Sequence, residues 1–139
     1  MPIIFQFDEA TSCVCSTAHG IVAVEEIEAH LRMKAEAQLL SKPEIFDARD
    51  VTLDLSTEDL KHIATVLREV MNFSKPGPTA VVTNTAYIEC LARAYAAMTA
   101  KENPDFRVYN TIAEAKKWVA SLVAKDPERY APARTPSEK

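Results

Sequence analysis

Polar side chains that could hold an anion follow three short apolar runs of this chain. They are Ser56 and Thr57, Asn84 and Thr85, and Asn110 and Thr111. If each pair begins a helix, the free backbone N–H groups and the positive end of the helix dipole can bind a negatively charged group. The other interpretation is that these side chains only cap their helices, which is the usual role of such residues there. Capping is favoured, because no glycine-rich loop, lysine or arginine accompanies them. We keep the six as candidate ligand-binding or regulatory residues.

Cys13, Cys15 and His19 alternate along one β-rich run and could form a thiol centre or part of a metal site. A structural zinc ion usually takes four ligands, and the remaining cysteine, Cys90, is far along the chain. A disulfide between Cys13 and Cys15 is disfavoured, because Cα atoms two apart in a strand are separated by ~6.6 Å. Free buried cysteines are therefore the preferred interpretation, and we predict neither a metal nor a cofactor.

Other titratable residues have simple structural explanations. Asp47, Arg49 and Asp50 lie at or just after the end of a strand predicted over 44–48 and could form an acid–base pair, but a local ion-pair network is favoured. His30 and His62 each have a glutamate four residues earlier, so solvent-exposed helical pairs explain them. Neither histidine has a nucleophile in a known triad spacing. No catalytic residue is assigned, and we predict a non-enzymatic protein.

The elements that would position these residues follow a repeated pattern of strand, cap and helix. Strands are predicted over 44–48, 79–84 and 106–110, with helices from about Ser56, Thr85 and Thr111. A hairpin of 3–7 and 11–18 and a helix over 24–40 precede them. Alternating strands and helices predict an α/β fold. We expect a mixed, mostly parallel sheet of about five strands, flanked by helices.

The helix predicted from Thr85 has two apolar stripes. The first contains Ile88, Leu91, Ala92 and Tyr95, and the second contains Tyr87, Cys90, Ala94, Ala97 and Met98. A helix that is apolar nearly all round is buried on more than one side. The second stripe therefore predicts either a homodimer contact or a wall of an apolar ligand pocket. A mildly apolar, exposed surface is the alternative.

Composition limits the class of protein. The chain has 139 residues and a net charge of −4, which suits one domain and provides no basic stripe for nucleic acid. No apolar run approaches the ~20 residues that span a bilayer, so integral membrane association is not expected. Three cysteines and no signal peptide predict a cytoplasmic location. We predict one domain over 1–124 and a proline-rich, disordered tail over 125–139.

Four sequence features resemble the SpoIIAA-like family, a group of bacterial STAS-related domains also described as STAS/SEC14-like. They are the His19-Gly20 turn, FDARDV at the third strand, AVVTN at the fourth, and the closing TIAEAKKWV. The likeness covers about residues 1–124. It implies a mixed sheet flanked by helices, no fixed enzymatic activity, and binding of small apolar or lipid-like molecules.

The resemblance also implies a regulatory alternative. STAS relatives that act as anti-sigma-factor antagonists are phosphorylated on a serine at a helix N-terminus. The matching positions here are Ser56 and Thr57, but the glycine of that turn is missing and Glu58 and Asp59 follow directly. A phosphate group there would meet two carboxylates.

The sequence therefore supports three hypotheses of function. The first is a binding module for a protein partner or a small apolar ligand, acting as a homodimer. The second is a phospho-regulated switch at Ser56 or Thr57. The third is an enzyme that uses Cys15 or the cluster of Asp47, Arg49 and Asp50.

Overall fold

The computed structural model describes residues 2–71 and 75–130. Within these ranges the elements are β1 (Ile3–Asp8), β2 (Cys13–Val22), α1 (Val24–Glu36), β3 (Glu44–Leu53), α2 (Thr57–Met71), β4 (Thr79–Val82), α3 (Ala86–Met98), β5 (Phe106–Tyr109), α4 (Ile112–Lys125) and α5 (Pro127–Tyr130). No helix among the described residues is long and apolar enough to cross a membrane.

The five strands form one sheet in the order β1-β2-β3-β4-β5. Strand β1 pairs antiparallel with β2, whereas β2, β3, β4 and β5 pair parallel to their neighbours. The short loop between β1 and β2 forms the predicted hairpin, and each later connection contains a helix. The prediction of a mixed, mostly parallel α/β sheet is confirmed.

The helices cover the two faces of the sheet unequally. Helices α1, α2 and α3 pack together over one face, where Leu31, Ile63 and Leu67 belong to one apolar cluster. Helix α4 covers the other face, where Ala115 and Val119 pack against residues of β3 and β4. Because side chains alternate along a strand, Ile45 of β3 lies in the cluster under α4, whereas its neighbour Phe46 packs against His30 of α1. The larger layer, beneath α1–α3, contains the site described below.

Strand β2 ends at Val22 rather than at residue 18, and α1 and β3 also differ in length from their predictions. Helix α1 ends at Glu36 rather than near Leu40, since Gln38 adopts a left-handed conformation with φ of 60°. Such a residue ends a helix, and Leu40 then turns into the core. Strand β3 continues to Leu53, five residues beyond the predicted end at Ala48. Asp47, Arg49 and Asp50 therefore lie within β3 and not after it.

Gly20 lies inside β2, so the His19-Gly20 turn expected from the sequence is part of that strand. Its φ is +72°, and the pairing of β2 with β3 shifts register just before it, between Thr17 and His19. Glycine adopts this backbone conformation without the steric cost that other residues incur. Gly20 therefore accommodates an irregularity in the pairing of β2 with β3.

The helical structure continues past the predicted domain boundary. Residues Pro127–Tyr130 form one helical turn, and the Tyr130 side chain is buried with 3% exposure. The rest of the predicted tail, residues 131–139, lies outside the described residues.

Candidate functional site

A buried carboxylate is the centre of the most polar part of the core. Glu44, the first residue of β3, is 3% exposed and has three partners. Its Oε2 accepts a hydrogen bond from Ser16 Oγ at 2.6 Å and lies 2.7 Å from His30 Nε2. Its Oε1 accepts a hydrogen bond from the ammonium group of Lys34. We call these four residues the Glu44 cluster.

Three elements bring the Glu44 cluster together. His30 and Lys34 are four residues apart on α1, so their side chains project from the same face of that helix. Ser16 comes from β2 and Glu44 from β3, which pair side by side. The ring of His30 packs edge-to-face against Phe5 and Phe46, at centroid distances of 5.4 and 5.6 Å. These aromatic contacts fix the orientation of the imidazole.

The partners keep the Glu44 carboxyl ionised. Burial alone would raise its pKa, but the charge of Lys34 and the contact with His30 outweigh burial, so the pKa lies well below its ordinary value of 4.5. The ionised form then accepts hydrogen bonds at both oxygens. A neutral carboxyl group would lose part of this network.

This shift predicts acid sensitivity. A carboxyl group whose folded-state pKa is depressed stabilises the protein fully above its unfolded pKa, and the stabilisation falls as pH drops below about 4.5. We expect the free energy of unfolding, measured by urea titration, to decline between pH 5 and roughly pH 3. The double variant Lys34→Met/Glu44→Leu lacks the pair and should show a shallower decline. Parallel curves for the two proteins would refute the assignment.

Three residues of the Glu44 cluster, His30, Lys34 and Glu44, form part of the wall of a cavity of about 140 Å³ between the sheet and helices α1–α3. Most of the lining is aliphatic or aromatic. It includes Ile27, Leu31, Leu53, Leu60, Ile63, Leu67, Val81, Ile88, Leu91 and Phe106. The polar side chains at the wall are His30, Lys34, Glu44, Thr79, Tyr95 and Asn103. The cavity is therefore apolar with a small number of converging polar groups, as in small-molecule sites.

Tyr95 of α3 contributes a phenol to the same cavity. Its pKa is raised, first by burial and next by the negative charge of Glu44. Its ring packs edge-to-face on Phe106, at a centroid distance of 5.7 Å. The phenol therefore stays neutral at physiological pH and retains its O–H donor.

The sequence-predicted hydroxyls act as helix caps. Ser56 Oγ accepts a hydrogen bond from the backbone N–H of Asp59, whose carboxylate accepts one from the Ser56 N–H. Thr85 and Thr111 accept hydrogen bonds from the N–H groups of Ile88 and Glu114. Thr57, Asn84 and Asn110 are exposed at neighbouring positions. The six lie after β3, β4 and β5, outside the lining of the cavity, and their ligand-binding or regulatory role stays a prediction.

The second stripe of α3 is divided between the core and the surface. Ala94 and Met98 are half-buried and pack against the apolar cluster of α1 and α2. Tyr87 is 56% exposed, and Cys90 and Ala97 are also exposed. The cavity wall is instead formed by the first stripe, Ile88, Leu91, Ala92 and Tyr95. The homodimer contact stays a prediction.

The two helical histidines do not form the pairs expected from the sequence. His30 is buried against Glu44, while Glu26 accepts a hydrogen bond from the backbone of Ala23 at the start of α1. His62 lies 2.7 Å from Glu28 of α1 rather than beside Glu58. Both predictions were wrong, because packing between α1 and neighbouring elements overrides spacing within one helix.

The structure also places the Asp47–Arg49 pair and the three cysteines, for which the sequence predicted a local ion pair and free thiols. The guanidinium group of Arg49 donates to both oxygens of Asp47 at 2.9 Å, which is the local ion pair favoured above. Cys13 is buried, and burial followed by the neighbouring Cys15 raises its thiol pKa to about 12. Cys15 and Cys90 are exposed. In the described part of the chain no three His, Cys, Asp or Glu side chains are placed to hold a metal ion.

Sequence analysis missed Ser16, Lys34 and Glu44 as site residues. One indication was available: His30 and Lys34 share the helix face of the apolar Ile27 and Leu31. Charged residues on a core-facing stripe indicate a buried polar contact.

Comparisons with known proteins identify the fold. No protein-family model and no curated protein matches the chain. A solved structure similar to it is an uncharacterized protein from the DUF3478 family with a SpoIIAA-like fold from Shewanella loihica PV-4, with 14% identity, a TM-score of 0.57, and coverage of 84% of this chain and 93% of the other. Another is an anti-sigma factor antagonist from Mycobacterium paratuberculosis, with 17% identity, a TM-score of 0.49, and coverage of 84% and 93%.

The chain therefore has a SpoIIAA-like α/β fold of the STAS type. The resemblance found in the sequence is confirmed at the level of the fold. At these identities the likeness establishes the fold alone, and function has to be argued from the cavity.

Proposed function

We propose that this protein is a non-enzymatic binding module that takes a small apolar molecule into the cavity beneath α1–α3. The observation that carries the proposal is the cavity itself, about 140 Å³ in volume, with a mainly apolar lining and a buried polar cluster in its wall. Protein interiors are otherwise close-packed, with few voids larger than a water molecule. A cavity of this kind is the usual form of a ligand site.

The size and the lining define the ligand. An apolar cavity of about 150 Å³ in another protein stays dry and binds benzene. The cavity of this protein therefore suits a molecule of roughly the size of one six-membered ring. Aliphatic side chains from α1, α2 and α3 surround that volume on several sides, which favours a compact ligand. Such binding is driven by burial of apolar surface, at about 25 cal/mol per Å².

Native mass spectrometry of the purified protein, followed by denaturing mass spectrometry, tests the proposal. We expect either a bound mass that disappears on denaturation or, for protein purified empty, uptake of toluene with a rise in melting temperature. The native mass also gives the number of subunits. An empty protein whose melting temperature does not respond to small apolar probes would refute the proposal.

A pair of alanines on α3 provides a matched control. Ala92 lines the cavity, whereas Ala97, five residues later, is exposed and lies outside the lining. Ala92→Leu should fill part of the cavity and weaken toluene binding by at least about tenfold, since a leucine adds roughly three methylene-sized groups. Ala97→Leu should leave binding nearly unchanged. Equal effects of the two substitutions would place the ligand elsewhere.

A further inference from the structure

We infer that the ligand carries an oxygen that accepts hydrogen bonds, and that Lys34 and Tyr95 donate to it. This inference rests on the proposed function and specifies the ligand class. The occupant would be a small apolar molecule with one carbonyl or carboxylate group. The argument depends on the count of donors and acceptors around the cavity.

Lys34 has more donors than partners. A lysine ammonium group has three N–H donors, and among the described residues only Glu44 Oε1 accepts from it. Lys34 is 5% exposed, so bulk water does not satisfy the other two donors. Its side chain lines the cavity. An unsatisfied buried donor is costly, and a ligand oxygen in the cavity would remove that cost.

Tyr95 provides a second donor on the wall. Its side chain is half-buried and lines the cavity, and its hydroxyl makes no hydrogen bond with another of the described residues. Glu44 offers at most one further acceptor site, on Oε1, because Oε2 already accepts from Ser16 and His30 and Oε1 accepts from Lys34. Donors therefore outnumber acceptors at the cavity wall. A ligand that accepts hydrogen bonds fits this imbalance, and one that only donates does not.

Four probes of similar size test the inference by calorimetry on the full-length protein. Toluene has no polar atom, acetophenone has a neutral carbonyl, benzoate has a carboxylate, and benzylammonium has donors only. We expect acetophenone or benzoate to bind at least about tenfold more tightly than toluene, the value of one well-placed hydrogen bond. Benzylammonium should bind no better than toluene. Whichever of acetophenone and benzoate binds more tightly shows whether the ligand carries a carbonyl or a carboxylate group.

Tyr95→Phe removes one donor and leaves the ring in place, so the advantage of the acceptor probe over toluene should fall by about threefold to tenfold. Tyr109→Phe is the matched control, because Tyr109 packs near Trp118 in the cluster under α4. The double variant Lys34→Met/Glu44→Leu removes the ammonium group without adding a donor and should abolish the remaining advantage.

The outcomes separate the two proposals. Equal binding of toluene and the acceptor probes overturns this inference and leaves the proposed function intact. Tight acceptor binding that Tyr95→Phe and the double variant do not weaken also overturns it. If none of the four probes binds, the proposed function fails together with the inference.

Discussion

Replacing Glu44 with leucine is expected to lower the free energy of unfolding by about 3–5 kcal/mol. The substitution leaves the ammonium group of Lys34 buried without the carboxylate that accepts its hydrogen bond. It also removes the acceptor of Ser16 and the partner of His30. Urea denaturation monitored by circular dichroism at pH 7 measures the effect.

The double variant Lys34→Met/Glu44→Leu provides the control. It removes both charges, and Ser16 Oγ and His30 Nε2, which lie 3.5 Å apart, can then bond to each other. The double variant should therefore regain most of the stability that Glu44→Leu loses. The single changes should therefore be strongly non-additive. If the double variant is as unstable as the sum of the single variants, the two side chains do not form a buried pair.

Gly77→Ala is expected to destabilise the protein by about 3 kcal/mol. A Cβ atom at this position would lie 2.3 Å from the carbonyl oxygen of Lys42 and 2.6 Å from that of Ser41. Both contacts are to backbone, which cannot rotate away as a flexible side chain can. The Gly77 N–H also donates to the carbonyl of Leu40 at 2.9 Å, so movement of the loop would break that bond. Thermal and urea denaturation measure the loss.

Gly20→Ala is the matched comparison for Gly77→Ala. A Cβ atom at Gly20 meets nothing within 4 Å, so the only cost is the left-handed backbone at φ +72°. That cost is about 1–2 kcal/mol. A smaller effect at Gly77 than at Gly20 would contradict the close approach of residues 41 and 42 to residue 77.

The sequence predicted the features that depend on local spacing. The stripe of Leu60, Ile63 and Leu67 repeats with helical period, and these residues are buried in α2. Ser56, Thr85 and Thr111 begin their helices because a hydroxyl can accept a hydrogen bond from an N–H group two or three residues later. The fold class followed from the alternation of such elements.

The site could not be predicted, because its contacts join residues distant in the sequence. Glu44 meets Ser16 across 28 positions and His30 across 14. In the sequence, His30 has the same spacing to Glu26 as any exposed helical pair, and only the position of β3 shows which glutamate it contacts. The cavity has no local signature either, since the residues that line it are ordinary core residues.

The position of the Glu44 cluster in the fold determines when its contacts form during folding. Its contacts close short chain segments, of 10 to 28 residues, so the entropy of bringing them together is small. Yet the charge pair gains strength only when water is excluded, and that requires α2 and α3 to cover it. We expect the pair to form after the transition state for folding. Mutations of Glu44 would then accelerate unfolding and leave the folding rate nearly unchanged, giving φ-values near zero.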